Sequence, residues 1–241
     1  MSTTSPNLGS YQTATLQLLQ NPPAPSTLYS TANITTFVND ARVQIAGTSE
    51  SIRSTGTITT TSGIRSYNLS SLTLSPSSGI GGAFNINQLQ SQIGVGGNLW
   101  MRPRQYQWFF LYRLSAVVPN TGRPVEWSVQ NQGITGNFVV DPIPDGAYTL
   151  SADVFCYPTD LAANSDPEAL PYPWTDAVPY FAAYLALLSA QRRDDADKMF
   201  ERYQLFENRA RQMSTPPVMP RIYNQPQPDP TMANKFGVRG G

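Results

Sequence analysis

Apolar residues occupy every second position from Tyr148 to Cys156, and this pattern constrains the fold more than any other in the chain. The period of two predicts a β-strand with one packed and one solvated face, which is typical of an antiparallel sheet. Five residues form the predicted packed face: Tyr148, Leu150, Ala152, Val154 and Cys156. Pro144, Asp145 and Gly146 predict a tight turn before the strand, because proline fixes φ and glycine accepts positive φ.

Other segments of the first two thirds of the chain also have strand patterns. Residues 125–129 alternate in polarity and residues 138–140 form an apolar run, so both predict strands. Residues 51–74 are rich in β-branched side chains, and we predict a hairpin there with its turn at residues 62–63. Residues 83–93 predict a further pair of strands.

The segment Arg102 to Leu114 contains an aromatic cluster that fits two structures. The spacing of Trp108, Leu111 and Leu114 matches one face of a helix, whereas a continuous aromatic run also suits a strand. We predict a helix here.

Three helices are predicted outside the β-rich part. The first runs from Asn33, a good N-cap, to Gly47, which favours helix termination. The second begins at Asp176 with Pro179 in its first turn, where a backbone N–H is not needed. The third covers residues 192–213 and packs against the second as a hairpin. The predicted buried stripes are Phe181, Tyr184, Leu185 and Leu188 in the second helix and Phe200, Tyr203, Phe206 and Ala210 in the third.

Charged residues are placed very unevenly. No Asp, Glu, Lys or Arg occurs from Met1 to Asn39, and Pro22, Pro23 and Pro25 interrupt this region. We predict that residues 1–32 form an extended arm lying on another molecule; a frayed terminus is the alternative. Residues 214–241 are rich in proline, glutamine and asparagine and predict an extended tail.

The predicted fold class is therefore α+β, with a core at residues 33–213. A helical bundle from residues 33–47 and 172–213 contains one N-terminal helix and a C-terminal helical hairpin. An antiparallel β domain, sandwich-like or barrel-like, is inserted at residues 50–160. Extended N- and C-terminal arms complete the chain.

The composition excludes several kinds of catalytic site. The chain has no histidine, which excludes Ser-His-Asp and Cys-His catalysis. Cys156 is the only cysteine, so an intrachain disulfide and a CxxC pair are excluded. Sixteen basic residues balance sixteen acidic ones, which argues against sequence-independent nucleic-acid binding. No segment has the roughly 20 apolar residues of a membrane span, and the N-terminus lacks a secretory signal pattern. We expect no metal, no cofactor and no membrane contact.

Carboxylates are the remaining candidates for catalysis. Asp141, Asp145 and Asp153 would supply the acid and base of a hydrolase if the fold brought two of them together. The turn at Asp145 favours structural roles instead. The acidic cluster at residues 194–197 would bind a cation, but it lacks the ligand pattern of a calcium loop, and a solvated helix start explains it better. We therefore predict that the chain is not an enzyme.

Four arginines follow one another with no acidic residue between them: Arg102, Arg104, Arg113 and Arg123. The planar guanidinium group makes bidentate contacts and suits partly buried interfaces. Three interpretations remain open for this run. The arginines are surface charges with internal ion pairs, they pair with another subunit, or they contact nucleic acid.

Aromatic residues of the predicted sheet support an alternative function. Trp127, Tyr148 and Tyr157 would stack on sugars if they were exposed, which would make the chain a carbohydrate- or surface-binding β module of a virion tail or a secreted protein. Core packing is the competing use of the same side chains, and we favour it.

A series of short motifs runs through the second half of the chain. They are Gly122-Arg123-Pro124, Trp127, Pro142-Ile143-Pro144-Asp145, Tyr148, Tyr157-Pro158 with Leu161, and Tyr180-Phe181-Ala182-Ala183-Tyr184. With the helix at residues 34–46, this series resembles the head-to-tail adaptor proteins (head-completion or connector proteins) of short-tailed bacteriophages. The resemblance covers roughly residues 33–212, and Trp127 stands where the family usually has tyrosine.

The resemblance implies a structural virion protein at the head–tail junction, made in the host cytoplasm. Such proteins form a closed ring, commonly of twelve copies, that docks on the capsid portal and extends the DNA channel. The ring gives tail nozzle, tail tube or fibre proteins a platform, and viral DNA passes through it without sequence-specific binding. In this family the helical bundle forms the ring.

The two ends of the chain supply candidate contact residues. In such relatives a C-terminal segment often inserts into the portal, so portal contacts are predicted at Arg221, Tyr223 and Phe236. The predicted anchors of the N-terminal arm are Leu16, Leu18, Leu19 and Tyr29. All of these are isolated apolar, aromatic or basic residues in polar, proline-broken segments.

Overall fold

A computed structural model describes residues 6–20, 29–93, 97–114 and 120–214 of the chain. Its helices are α1 (Leu8–Leu18), α2 (Thr31–Ser49), α3 (Tyr106–Phe109), α4 (Val178–Ser189) and α5 (Arg193–Ser214). Its strands are β1 (Arg53–Thr59), β2 (Ser66–Asn68), β3 (Thr73–Ser75), β4 (Ile80–Ile93), β5 (Gly97–Trp100), β6 (Arg102–Pro103), β7 (Glu126–Asn131), β8 (Asn137–Asp141) and β9 (Thr149–Pro158). The predicted α+β class is confirmed.

The strands of the described residues form two sheets and no closed barrel. One sheet has the antiparallel order β3-β1-β9-β4-β5, and the other has the order β2-β8-β7-β6, in which only β6 and β7 are parallel. The predicted alternation of β9 is confirmed, because every second residue from Leu150 onward is buried. Strand β9 lies at the centre of its sheet, between β1 and β4.

The predicted hairpin at residues 51–74 is wrong. Strand β1 pairs with β3 and β9, whereas β2 leaves that sheet and pairs with β8. Residues 83–93 belong to the single long strand β4, which pairs with β5, the next strand along the chain. Side-chain alternation reveals which face of a strand is packed, but it carries no information about which strand lies beside it.

The predicted extended arm at residues 1–32 is wrong for residues 8–18, which form helix α1. The side chain of Asn7 accepts a hydrogen bond from the Ser10 amide at 2.9 Å and caps the helix. Leu8, Tyr11 and Leu19 are buried against the rest of the chain. Helix α1 packs on α2 and α4, and this burial stabilises it. The apolar periodicity of residues 8–18 is too weak to predict the helix from the sequence.

Helix α2 extends beyond its predicted ends. It begins after Ser30, whose side chain accepts a hydrogen bond from the Asn33 amide, so Asn33 is not the N-cap. It continues past Gly47 and closes on Glu50 in the left-handed conformation. A Cβ atom at Gly47 would lie 3.3 Å from the ring of Tyr157, so this glycine allows helix and strand to approach.

The predicted helical hairpin of α4 and α5 is present, with a different start and a different buried stripe. A 3₁₀ turn, Trp174–Ala177, precedes α4, so Asp176 lies in that turn and does not cap the helix. Small residues (Ala182, Ala183 and Ala186) form most of the buried face of α4, while Leu188 is exposed. Their size allows α1, α2 and α5 all to pack on α4.

The segment predicted as one helix at residues 102–114 is helical only in its second part. Arg102 and Pro103 form β6, because the amides of Arg102 and Arg104 donate to carbonyl groups beside and within β7. The one-turn helix α3 and a π-helical turn, Phe110–Leu114, follow.

The molecule has two ends that the strands connect. At the helical end, Pro158 of β9 pairs with Ile80, and the following loop contacts α2. At the opposite end, called here the distal end, Leu150 pairs with Ser91 and lies near β5 and the start of β7. The ten residues of β9 span about 30 Å between the ends at ~3.3 Å per residue.

The lone thiol of Cys156 is expected to resist alkylation in the folded protein. Its side chain is fully buried, and burial raises the pKa of the thiol to about 11, so little reactive thiolate forms near neutral pH. Mass spectrometry after iodoacetamide treatment should show no adduct on folded protein and one adduct in guanidinium chloride. Rapid labelling of folded protein would contradict the buried placement of β9.

Candidate assembly surfaces

A buried ion pair joins α2 to the loop between β9 and α4. The guanidinium group of Arg42 contacts the carboxylate of Glu168 through two nitrogens, each at 3.0 Å, and the side chains are 0% and 1% exposed. Nη1 of Arg42 also donates to the carbonyl oxygen of Thr159 at 2.7 Å. Bidentate geometry with further hydrogen bonds is what a buried pair needs to offset its desolvation.

The same network extends to helix α1 and to the start of the loop. Asn39 accepts a hydrogen bond from the Leu161 amide at 3.0 Å and donates to the Leu161 carbonyl at 3.2 Å. Tyr11 of α1 lies beside Glu168, and burial with that negative charge raises the pKa of its hydroxyl group. Glu168 and Arg42 are 126 residues apart in sequence. Their network joins the loop after β9 to α1 and α2 at the helical end.

An aromatic ladder holds α4 against α5. Three ring pairs form it: Tyr180 with Phe206 at 4.6 Å, Phe181 with Tyr203 at 4.8 Å, and Tyr184 with Phe200 at 5.0 Å between centroids. These distances are typical of favourable aromatic contacts. The prediction that Phe200, Tyr203, Phe206 and Ala210 share one packed face of the last helix is confirmed. Most of the ladder is only partly buried, so its outer side remains accessible on the helical end.

The three candidate catalytic carboxylates each have a structural partner. Asp141 is buried and pairs with Arg65 at 3.2 Å, and Asp145 accepts a 2.6 Å hydrogen bond from the hydroxyl of Tyr148. Asp153 is contacted by Arg53 and Asn87; partial burial acts to raise its pKa, but these hydrogen bonds hold it below the ordinary value. Asp141 and Asp153 lie in different sheets, so the structure does not assemble the predicted acid–base pair from them.

The acidic cluster at residues 194–197 begins helix α5. Asp195 pairs with Arg192 at 2.5 Å and with Lys198 at 3.4 Å, which leaves Asp194 and Asp197 at the surface. Over the described ranges, no group of three or more potential ligand residues is placed to hold a metal ion.

The four arginines have different environments at the distal end. Arg104 pairs with Glu126 at 2.7 Å and lies over the ring of Trp108 at 4.7 Å. Arg123 donates to the Ser91 hydroxyl at 3.1 Å and to the carbonyl oxygen of Gln92. The described residues include no ion-pair partner for the exposed Arg102. Arg113 lies in the π-helical turn, and its side chain is outside the described part.

The N-terminal anchor candidates lie on their own chain. Leu19 and Tyr29 are buried, and Leu16 and Leu18 pack against the core, all within the same molecule. A neighbouring copy is therefore not required to explain them. The portal-contact candidates Arg221, Tyr223 and Phe236 lie outside the described residues.

The sheet aromatics considered for sugar stacking serve mainly in packing. Trp127 is buried, and its indole N–H donates to the Met101 carbonyl at 3.3 Å. Tyr157 stacks on Phe84 with 4.4 Å between ring centroids. Tyr148 remains half-buried, and its hydrogen bond to Asp145 raises the pKa of the hydroxyl group. These placements favour the core-packing interpretation.

Sequence reasoning missed a group of exposed apolar side chains at the distal end, which we call the aromatic face. Its members, with exposed fractions, are Leu99 (36%), Trp100 (59%), Phe110 (60%), Leu111 (63%) and Tyr112 (63%). Phe109, the residue before Phe110, is by contrast fully buried. The available signal was the uninterrupted run of large apolar residues from Trp108 to Tyr112, because neither a helix nor a strand with one packed face can bury every member of such a run.

Comparison with known proteins gives one finding about the whole chain. The family model described as SU10 adaptor protein matches residues 6–226. No curated protein matches the chain. None of the helices in the described ranges combines the length and the apolar character needed to cross a bilayer.

Proposed function

The chain belongs to the SU10 adaptor protein family, a family of structural phage adaptors, and from this premise we propose that it joins the capsid portal to the tail. In this proposal twelve copies form a closed ring at the head–tail junction of the virion. The ring docks on the portal, extends the DNA channel and presents a platform to tail nozzle, tail tube or fibre proteins. The chain contributes no catalysis.

The observation that carries the proposal is the extent of the family match. It begins before helix α1, continues through both sheets and the helical hairpin, and ends at residue 226, beyond the last residue of α5. The matched part therefore includes Arg221 and Tyr223, two of the proposed portal contacts, whereas Phe236 lies outside it. The family match thus includes the first part of the C-terminal tail, which supports a role of this tail in binding the portal.

The two ends of the molecule support a bridging role. Helix α5 ends at Ser214, which places the origin of the C-terminal tail on the α4–α5 hairpin of the helical part. The aromatic face lies at the distal end, and exposed apolar patches on soluble proteins commonly mark interaction sites. A protein with different contact surfaces at its two ends can bind two different neighbours.

Electron microscopy of the purified protein, alone and mixed with its portal, tests the proposal. We expect rings on the portal, with the channel continuous through both proteins. A protein that stays monomeric in the presence of portal, or that is missing from the mature particle, would contradict the proposal. A portal variant that lacks the surface contacted by the adaptor serves as the negative control.

A further inference from the structure

The five-stranded sheet has a depression on the side that carries Ser151 and Asp153 of β9. These two side chains alternate with the buried Leu150, Ala152 and Val154, so they project from the opposite side of the strand. The depression has a volume of about 200 Å³, and residues of β1, β4 and β9 line it: Thr55, Gln88, Gln90, Ser151, Ala152 and Asp153. Except for Ala152, these residues have polar side chains. The depression is therefore polar, whereas the other side of β9 faces the apolar core.

The register of the sheet arranges the polar side chains in two rows. Asp153 lies between Gln88 of β4 and Thr55 of β1, which pair with it from its two sides. Ser151 lies opposite Gln90 of β4 in the second row. Directly opposite residues of an antiparallel pair project from the same side of the sheet. Three neighbouring strands thus direct their polar groups towards one depression.

Trp100 of the edge strand β5 extends the second row. It lies opposite Gln90, so its side chain projects from the side of the sheet that carries the depression, and it is 59% exposed. The indole ring adds a flat apolar surface next to the polar groups. Residues 110–112 belong to the π-helical turn and not to this sheet, so they remain available to the tail proteins of the proposed function.

The carboxylate of Asp153 is held in place beside the depression. Nε of Arg53 donates to Oδ1 at 3.3 Å, whereas Oδ2 accepts from Nη2 of Arg53 and, at 2.7 Å, from Nδ2 of Asn87. A carboxylate has about four acceptor sites, so one on Oδ1 remains open to a ligand. Because Arg53 balances the charge of Asp153, the site has no net charge.

The other polar groups of the depression have no partner within the described residues. The side chains of Thr55, Gln88, Gln90 and Ser151 make no hydrogen bond there. An apolar partner would bury these groups unsatisfied, which costs free energy. A phosphate would meet the carboxylate of Asp153, and the lining residues include no basic side chain to attract it. The ligand that fits is neutral and rich in hydroxyl groups, each of which both donates and accepts hydrogen bonds.

We infer that this depression binds a neutral saccharide through Asp153 and the amide groups of Gln88 and Gln90. An amide donates and accepts in one plane, so it can bond to two adjacent hydroxyl groups of a sugar ring. The open acceptor site of Asp153 takes a further hydroxyl group, and the C–H face of the ring packs on the indole of Trp100. The inference goes beyond the proposed function and does not depend on it.

An array of neutral oligosaccharides of glucose, galactose, mannose and N-acetylglucosamine tests the inference with the full chain. We expect one class of oligosaccharide to bind. A titration with the best binder is expected to change the tryptophan fluorescence, because Trp100 is exposed at the site. Comparison of this oligosaccharide with its monosaccharide unit distinguishes two sources of the ligand. Equal affinity indicates a free sugar, whereas higher affinity for the oligosaccharide indicates a polysaccharide.

Two substitutions locate the site in isothermal titration calorimetry. Asp153→Asn keeps the size of the side chain and is expected to weaken binding at least about tenfold, because it removes a charged acceptor. Trp100→Ala is expected to weaken binding as well and to abolish the fluorescence change. Asp160→Asn and Tyr112→Ala are the matched controls, since they change an exposed carboxylate and an exposed aromatic outside the depression. Circular dichroism establishes that each variant is folded.

Three results would overturn the inference. The first is an absence of binding across the array, and the second is binding that Asp153→Asn and Trp100→Ala both retain. The third concerns a second copy of the chain as the occupant of this side of the sheet. Thr57 is exposed and pairs with Ser151, so loss of self-association in Thr57→Arg would show that a neighbouring copy covers the depression. Rings on the portal without saccharide binding would contradict this inference alone and leave the adaptor function standing.

Discussion

Replacing Glu168 by glutamine is expected to lower the free energy of unfolding by about 3–5 kcal/mol, the usual cost of leaving one member of a buried ion pair unpaired. Glutamine has the size of glutamate but no charge, so Arg42 would stay charged in a site where both side chains are inaccessible to solvent. The change also weakens the bonds that hold the loop after β9 to α2. Urea unfolding followed by tryptophan fluorescence measures the loss.

Two further variants identify the cause. Asp195→Asn removes an exposed pair at the start of α5 and is expected to cost no more than about 1 kcal/mol, because solvent screens such pairs. The double variant Arg42→Met, Glu168→Leu is expected to be more stable than Glu168→Gln, because it leaves no unpaired charge in the core. Wild-type stability of Glu168→Gln would show that the pair contributes nothing.

Ending the chain after Ser214 is expected to abolish binding to the portal while leaving the folded part intact. Helix α5 ends at Ser214, and the buried residues of this helix (Ala196, Tyr203 and Ala210) all precede the cut. The truncated chain should therefore keep the melting temperature of the full chain. Co-sedimentation with purified portal measures the binding, and we expect the shortened chain to stay in the supernatant.

Point variants locate the effect within the tail. Replacing Arg221, Tyr223 and Phe236 together by alanine is expected to reproduce most of the loss, because aromatic and arginine side chains dominate interface energies. Replacing Gln225 and Gln227 by alanine is the matched control, since it changes the same tail without removing an aromatic or a charge. Full portal binding by the truncated chain would refute the assignment of the tail.

Local patterns predicted those elements whose side chains face two clearly different environments. The alternation of β9 predicted its buried face because one side meets the core and the other meets neighbouring polar groups. The apolar spacing in α5 predicted its contact with α4 for the same reason, since the rest of that helix is strongly charged. The family resemblance, carried by short turn and strand motifs, was confirmed by the match over residues 6–226.

Elements that depend on distant partners were not predictable in this way. Helix α1 has no charge and weak periodicity, and it is stable because α2 and α4 cover its apolar side. Glu168 lies 126 residues from Arg42, so no local pattern connects them. A basic residue among the apolar positions of α2 was the only hint, because a buried charge requires a partner somewhere in the fold.

The amino-acid order thus specified the polarity of each segment: which strands have a dry side, where the helices are charged, and that catalytic equipment based on histidine is absent. Only the tertiary structure determined three features: the pairing of β2 with β8, the packing of α1 on α2 and α4, and the exposure of the aromatic face. Periodicity is a property of neighbouring residues, whereas pairing and burial depend on surfaces brought together from remote parts of the chain. Trp100 and Phe110 are exposed although they are large and apolar, and their polarity alone did not reveal this.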